Sequence, residues 1–484
     1  MISKLRAYTD CNVTKPAIAR GAAGLAARLA IVAAVAWPLA GGARQGPQGP
    51  LPYPQGAARD ATAEFQAGPG LTVTRITSAP QGSQLSYYDI NFYAPQADRF
   101  IYNTVVKVLR GPKNIKAEDA AAADGKDDEE DAPGGIAGGY PKEAVWGVAS
   151  IKPDGTDGRL LLTRVPPGIA ASRADMSADG RFVSYTRMND APETGWDLYG
   201  FFVGGGVKVE ELRITRLDTP RSKTAKVKTS PAAYDPKTKK YLCLFTIADR
   251  MYVVYHDGTS PKSGGAGPAL VGLTDNKDRP ERQEHDTSFH RARLNPVFPN
   301  LIYYRRNGTM DNWVIDWTEP KPASILFNET TLSVHAIWTP DGTKIAGKEG
   351  PKGAGAWVER TVADREGRIL PTAGYRTVEK RVVGPFGRGD AKYPGIFYAS
   401  YSPDGSLIAV ATDYRADPGG AIWLMNAQSG APRFLCKARY LGPVAQGQPR
   451  LGFFRGREGL AFSTDNSAGS RRSKPPQIYV VNGF

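Results

Sequence analysis

The chain has 484 residues, 41% of them apolar and 23% charged, which is enough to build a large core and excludes a disordered chain. Four His and three Cys exclude a Cys/His zinc array and a disulfide scaffold. The formal charge of +14 points to a basic surface suited to polyanions, yet no dense Lys/Arg run interleaved with aromatics marks a nucleic-acid site. Gly 54 and Pro 38 imply many turns and favour an all-β fold.

The first element is an apolar stretch, LAIVAAVAWPL at 29–39, preceded by a basic segment and followed by Gly41, Gly42 and Ala43. That order is that of a signal peptide, with 1–43 as leader and cleavage near Ala43. Eleven residues are too few for a bilayer, which needs about 20. The alternative is an uncleaved anchor running back to Gly21, which would have to bury Arg28. No Cys stands at the cleavage position to carry a lipid. After leader removal no transmembrane span is expected, and the location is periplasmic or secreted. Export also argues against nucleic acid as a partner. Residues 44–70 are rich in Gly, Pro, Gln and Ala and read as a flexible linker.

From Leu71 onward one unit recurs: an apolar strand, a Pro- or Asp-Gly-containing turn, then a second strand. The turns fall at Pro95, Ala178, Pro236, Pro296, Pro340 and Pro403, with a degraded seventh near Arg455. Asp-Gly suits the tip because Gly accepts positive φ. In SYSPDGSLIAVATD (400–413), both alternating sets, such as Leu407/Ala409/Ala411 and Ile408/Val410/Thr412, suit strands buried on both faces. A second hairpin follows each first one, as in WGVASIKPDGTDGRLLLTR (146–164) and IWLMNAQSGAPRFLC (422–436). Two hairpins make a four-stranded antiparallel unit, so the reading is a seven-bladed β-propeller over 71–484. The terminal QIYVVNGF (477–484) lacks a fourth strand, and LTVTRIT (71–77) is expected to supply it, removing two exposed edges. The acidic KAEDAAAADGKDDEEDAPGGIAGG (116–139) reads as a disordered insertion and lacks the ligand spacing of a calcium loop.

The Ser-Pro-Asp-Gly turns resemble those of the TolB-like propeller superfamily. The segments GLTVTRITSAPQGSQLSYYD (70–89), FHRARLNPVFPNLIYYRRNGTMDNWVIDW (289–317), SVHAIWTPDG (333–342) and YPGIFYASYSPDG (393–405) resemble the oligogalacturonate lyase family more closely. That resemblance implies β-elimination at the uronate C5 and a manganese ion held by clustered His and Gln on the axis. His290 and His335 stand where the family shows His. Where it tends to carry further His, this chain has Arg305 and Arg306, Gly82 to Leu85, and an aromatic stretch of Tyr393, Phe397, Tyr398 and Tyr401. Most of the metal set is therefore expected to be missing, and no cofactor is expected, with manganese as the alternative.

The densest group of ligand types is Glu284, His285, Asp286 and His290, but 275–286 is charged throughout and also reads as a polar loop. His335 serves as either a core histidine or an axial one. His256, in a His-Asp-Gly turn, reads as a turn residue. Arg291 and Arg293 should project together because alternate strand residues share a face. With Arg306 and Tyr398 they are the candidate ligand-binding set, since Arg holds carboxylates bidentately. His290, His335 and Arg305 are the candidates should catalysis occur. Two functions follow. The first is an exported scaffold that binds a cell-envelope protein or an acidic glycan at its axial face without turnover. The alternative is a divergent lyase acting on acidic oligosaccharides.

Overall fold

A computed structural model describes residues 51–52, 58–79, 82–85, 91–108, 144–165, 174–188, 195–204, 209–217, 227–247, 250–272, 289–306, 312–319, 324–326, 336–350, 355–370, 380–413, 420–440, 449–465 and 475–484. The side chains of 51–52, 105–108, 144–146, 163–165, 289–291, 306 and 324–326 lie outside that description. The expected leader, the 116–139 insertion, His285 and His335 also lie outside it. Among the described residues there is no helix, and none long and apolar enough to cross a membrane.

The strands form seven antiparallel sheets, the blades of a β-propeller. Blade six shows the pattern in full: Ile396–Tyr401, Leu407–Thr412, Ala421–Asn426 and Pro432–Lys437 pair in chain order. Blades two (175–217), four (289–326) and five (337–383) repeat it. Blade three (227–270) splits its inner strand into Val227–Thr229 and Ala233–Asp235. Blade one splits its own into Ser83–Gln84 and Tyr93–Ala94, and Leu51–Pro52 lines its outer edge. In blade seven, Thr72–Arg75 pairs with Gln477–Asn482, Val73 opposite Val481. Arg59–Asp60 then extends that sheet.

Residues 58–70 correct the linker expectation. Phe65 is fully buried, edge-on to Phe462 at 5.5 Å and tilted on Tyr479 at 4.6 Å. Its carbonyl accepts the Lys437 N–H, tying this segment to blade six. One aromatic ring outweighs a composition that otherwise reads as spacer, because burying it removes a large apolar area from water.

Alternation along each second strand supplies two different seams. Ile302 and Tyr304 join the core shared with blade three, while Leu301 and Tyr303 join that shared with blade five. Both faces are apolar because both are covered.

The turns are wired by their own side chains. In blade six the Ser402 hydroxyl donates to Asp404 Oδ1 (2.6 Å) and accepts the Leu407 N–H (3.0 Å), while Asp404 also accepts the Ser406 N–H. Thr339/Asp341 and Ser177/Asp179 repeat this geometry in blades five and two. The Ser402 hydroxyl, the Ser406 amide and the Ser406 hydroxyl bring the Asp404 carboxyl down to about 2. Gly180 closes the blade-two turn at φ 73°, and a Cβ there would sit 2.5 Å from the Tyr93 carbonyl oxygen of blade one. Gly180→Ala is expected to destabilise the fold by about 2–4 kcal/mol in denaturant unfolding, adding left-handed strain to a backbone clash.

Candidate functional site at the mouth of the propeller

Every inner strand runs toward its Asp-Gly-type turn, so all inner strands begin, and all second strands finish, at the opposite end. That end is the mouth. The cross-strand pairs that enclose six residues at the turn, seven in blade four, bring Phe100, Val183, Tyr241, Ile302, Ile345, Ile408 and Leu460 into equivalence. Three residues on, about 10 Å up each strand, stand Asn103, Thr186, Leu244, Arg305, Lys348, Ala411 and Ser463. All seven are buried. Two are cations, and they occupy neighbouring blades.

Arg305 is 1% exposed and shares a strand face with Leu301 and Tyr303, which pack toward blade five. Lys348 is 6% exposed and shares a face with Ala346, which packs toward blade six. Its Nζ lies 3.8 Å from Oδ2 of Asp413, a blade-six carboxylate with a fully buried side chain. The two cations therefore sit in the consecutive seams flanking blade five. Lys348 went unsingled in the sequence, although counting from the Asp-Gly turn places it level with Arg305.

Other polar groups at the mouth join blades to each other. Asn103 Oδ1 accepts the Ala174 N–H (3.4 Å), and Thr229 Oγ1 donates to Asp175 (3.1 Å). Arg293 Nη1 donates to the Thr229 carbonyl (3.3 Å), and Arg450 Nη1 to the Leu85 carbonyl (3.3 Å). Arg293, a candidate ligand-binding residue, bonds backbone across the seam of blades three and four. Tyr398 is 2% exposed, opposite Ala411 and edge-on to Phe397 at 4.5 Å, so the described packing uses it as core. His256, read as a turn residue, accepts the Tyr241 N–H through Nδ1 (3.1 Å) at the turn end, away from the mouth.

His290 occupies a β-bulge. Phe289 pairs with Arg306 and Arg291 with Arg305, leaving His290 as the extra residue. Blade six repeats the irregularity: Ile396 pairs with Thr412 and Tyr398 with Ala411, leaving Phe397. Bulges re-aim side chains and gather beside functional sites. Here two of them mark the same level of the mouth, one with His and one with Phe. Neither bulge was readable from alternation alone.

A divalent cation requires lone-pair donors. Beside the Arg305 guanidinium, the Lys348 ammonium and the Phe397 ring, the described side chains at this level offer neutral oxygens from Asn103, Thr186 and Ser463, while Asp175 and Asp413 are engaged with Thr229 and Lys348. Among the described residues no three His, Cys, Asp or Glu side chains gather. The side chains of His290 and His335, the two candidate metal ligands, lie outside the described residues.

No protein-family model and no curated protein matches the sequence. By structure, the chain is similar to an oligogalacturonate lyase in complex with manganese, at 14% identity and TM-score 0.51, over 90% of this chain and 98% of that one. It is also similar to an oligogalacturonate lyase from Vibrio parahaemolyticus, at 13% identity and TM-score 0.54 over the same shares. A putative TolB from Agrobacterium tumefaciens matches 53% of this chain and 73% of its own at 12% identity and TM-score 0.31. The chain is a seven-bladed β-propeller with the fold of the oligogalacturonate lyases.

Proposed function

We propose that this protein is an exported binding propeller whose mouth holds an acidic oligosaccharide without turning it over. The observation that carries the reading is the pair of buried cations, Arg305 and Lys348, level with each other in the two seams that flank blade five. Low surrounding polarity strengthens their field, and a guanidinium matches a carboxylate in two-point geometry. The net charge of +14 adds long-range attraction for polyanions. The leader-like order of 29–43 supports a place in the cell envelope, where such glycans are encountered.

Cations neutralise a uronate carboxylate but do not remove its neighbouring proton; a lyase needs a base as well. Titration calorimetry with oligogalacturonate is expected to show saturable binding, weakened by salt, whether or not manganese is present. Ultraviolet absorbance of unsaturated product is expected to stay flat in both conditions. A rise would establish lyase turnover instead, and absence of binding would leave a protein partner as the occupant.

A further inference from the structure

The turn end carries a second surface, on blades two and three, opposite the mouth. Five rings meet there. Phe182 stacks on Tyr241 at 5.1 Å, and Phe202 stands edge-on to His256 at 5.2 Å. Tyr241 also lies 5.8 Å from Phe202 and 5.3 Å from Tyr234. Phe182 and Tyr241 are buried, whereas Phe202 and Tyr234 are 42% and 41% exposed. Of the large apolar side chains exposed among the described residues, these two are the only aromatic ones; the others, Leu270, Val297 and Val382, are aliphatic.

Around the rings four cations, Arg181, Lys237, Lys239 and Lys240, face three carboxylates, and those carboxylates are held by hydrogen bonds and one ion pair. Asp179 accepts from Tyr241 and Ser177 (2.5 Å each), Asp235 from Tyr255 and Thr238 (2.8 Å each), and Asp257 pairs with Lys240 (2.6 Å). Arg181, Lys237 and Lys239 are exposed, and their side chains make no bond to any described residue. Arg181 precedes Phe182 in the chain, and its carbonyl accepts the Val203 N–H (2.8 Å), which sets it next to Phe202. Burial lowers the His256 pKa, so the local positive charge at neutral pH comes from Arg and Lys.

We infer that this surface is a second glycan site, taking an acidic oligosaccharide by stacking sugar rings on Phe202 and Tyr234 while Arg181, Lys237 and Lys239 meet its carboxylates. Sugar C–H groups carry partial positive charge and suit the negative face of an aromatic ring. The two exposed rings offer faces for that stacking, and the three exposed cations that make no ion pair with a described residue select the acidic form. The inference does not rest on the mouth, which lies at the other end of every strand.

The test is photo-cross-linking of the full chain with diazirine-labelled oligogalacturonate, followed by peptide mapping. Label is expected on 196–204 and 231–258, and it is expected to persist in Lys348→Met with Asp413→Leu, where only label at the mouth should fall. Phe202→Ser with Tyr234→Ser, both exposed, should remove the turn-end label and weaken its binding at least about tenfold. Lys237→Ser with Lys239→Ser should weaken it less and flatten its salt dependence. A fully methyl-esterified oligosaccharide should compete poorly. Label confined to other segments, retention of turn-end label in the aromatic double variant, or equal competition by poly-glutamate would overturn the inference, the last by pointing to an acidic peptide.

Discussion

Glu359→Ala will lower stability by about 3 kcal/mol, read by denaturant unfolding. Glu359 is 3% exposed in the third strand of blade five. Its Oε2 accepts from Lys344 Nζ (3.0 Å) and Arg381 Nη2 (2.8 Å), and its Oε1 accepts the Tyr401 hydroxyl (2.8 Å). Tyr401 in turn accepts the Trp357 Nε1–H (3.1 Å), and Arg381 donates to the Ala427 carbonyl of blade six (2.9 Å). One carboxylate thus ties three strands of blade five to blade six at the turn end. Its removal strands the Tyr401 hydroxyl, which burial and the Glu359 charge already hold well above its usual pKa. Lys344 and Arg381 are 30% and 42% exposed and can turn to water, which keeps the loss at the lower end of the range for a broken buried pair. Glu359→Gln keeps the shape and the acceptor and should cost about half as much. Glu359→Ala combined with Tyr401→Phe should cost about 1 kcal/mol less than the two single changes added together, because the stranded hydroxyl is gone.

The parts of the fold legible in the sequence are those set by few residues at fixed spacing. Ser402, Asp404 and Gly405 close a turn by themselves, so the turns could be read wherever the trio or a relic of it stands. Alternation over 407–412 showed two buried faces because it depends only on the period of a strand. Phe65 was missed because its neighbours are spacer-like, and its partners, Phe462 and Tyr479, lie some four hundred residues away. The site followed the same division. Arg305 was singled out through its place after Leu301 to Tyr304. Lys348 required the blades to be counted from a common turn. Arg293 shows the limit of shared-face reasoning: sharing a face with a neighbour gives no sign that the Thr229 carbonyl lies within 3.3 Å.

The two mouth cations should separate binding from stability in a way that a merely structural role would not. Lys348→Met removes an ammonium 3.8 Å from the fully buried Asp413 carboxylate, so the single change should cost about 3 kcal/mol of stability. The pair is stretched to 3.8 Å, beyond the ~2.8 Å of a direct charged hydrogen bond, so its mutual attraction is modest. Lys348→Met with Asp413→Leu should therefore recover most of that stability by replacing an ion pair with apolar packing. If the ammonium serves a glycan carboxylate, the double variant will still bind oligogalacturonate at the mouth about tenfold more weakly, as loss of one charged hydrogen bond of about 1.5 kcal/mol requires. Arg305→Lys keeps the charge and loses the two-point fork, and should weaken mouth binding by a similar factor with less effect on its salt dependence. Calorimetry at two salt concentrations, set beside unfolding curves for each variant, reads both quantities. A double variant that regains stability and affinity together would show that Lys348 serves only the seam between blades five and six.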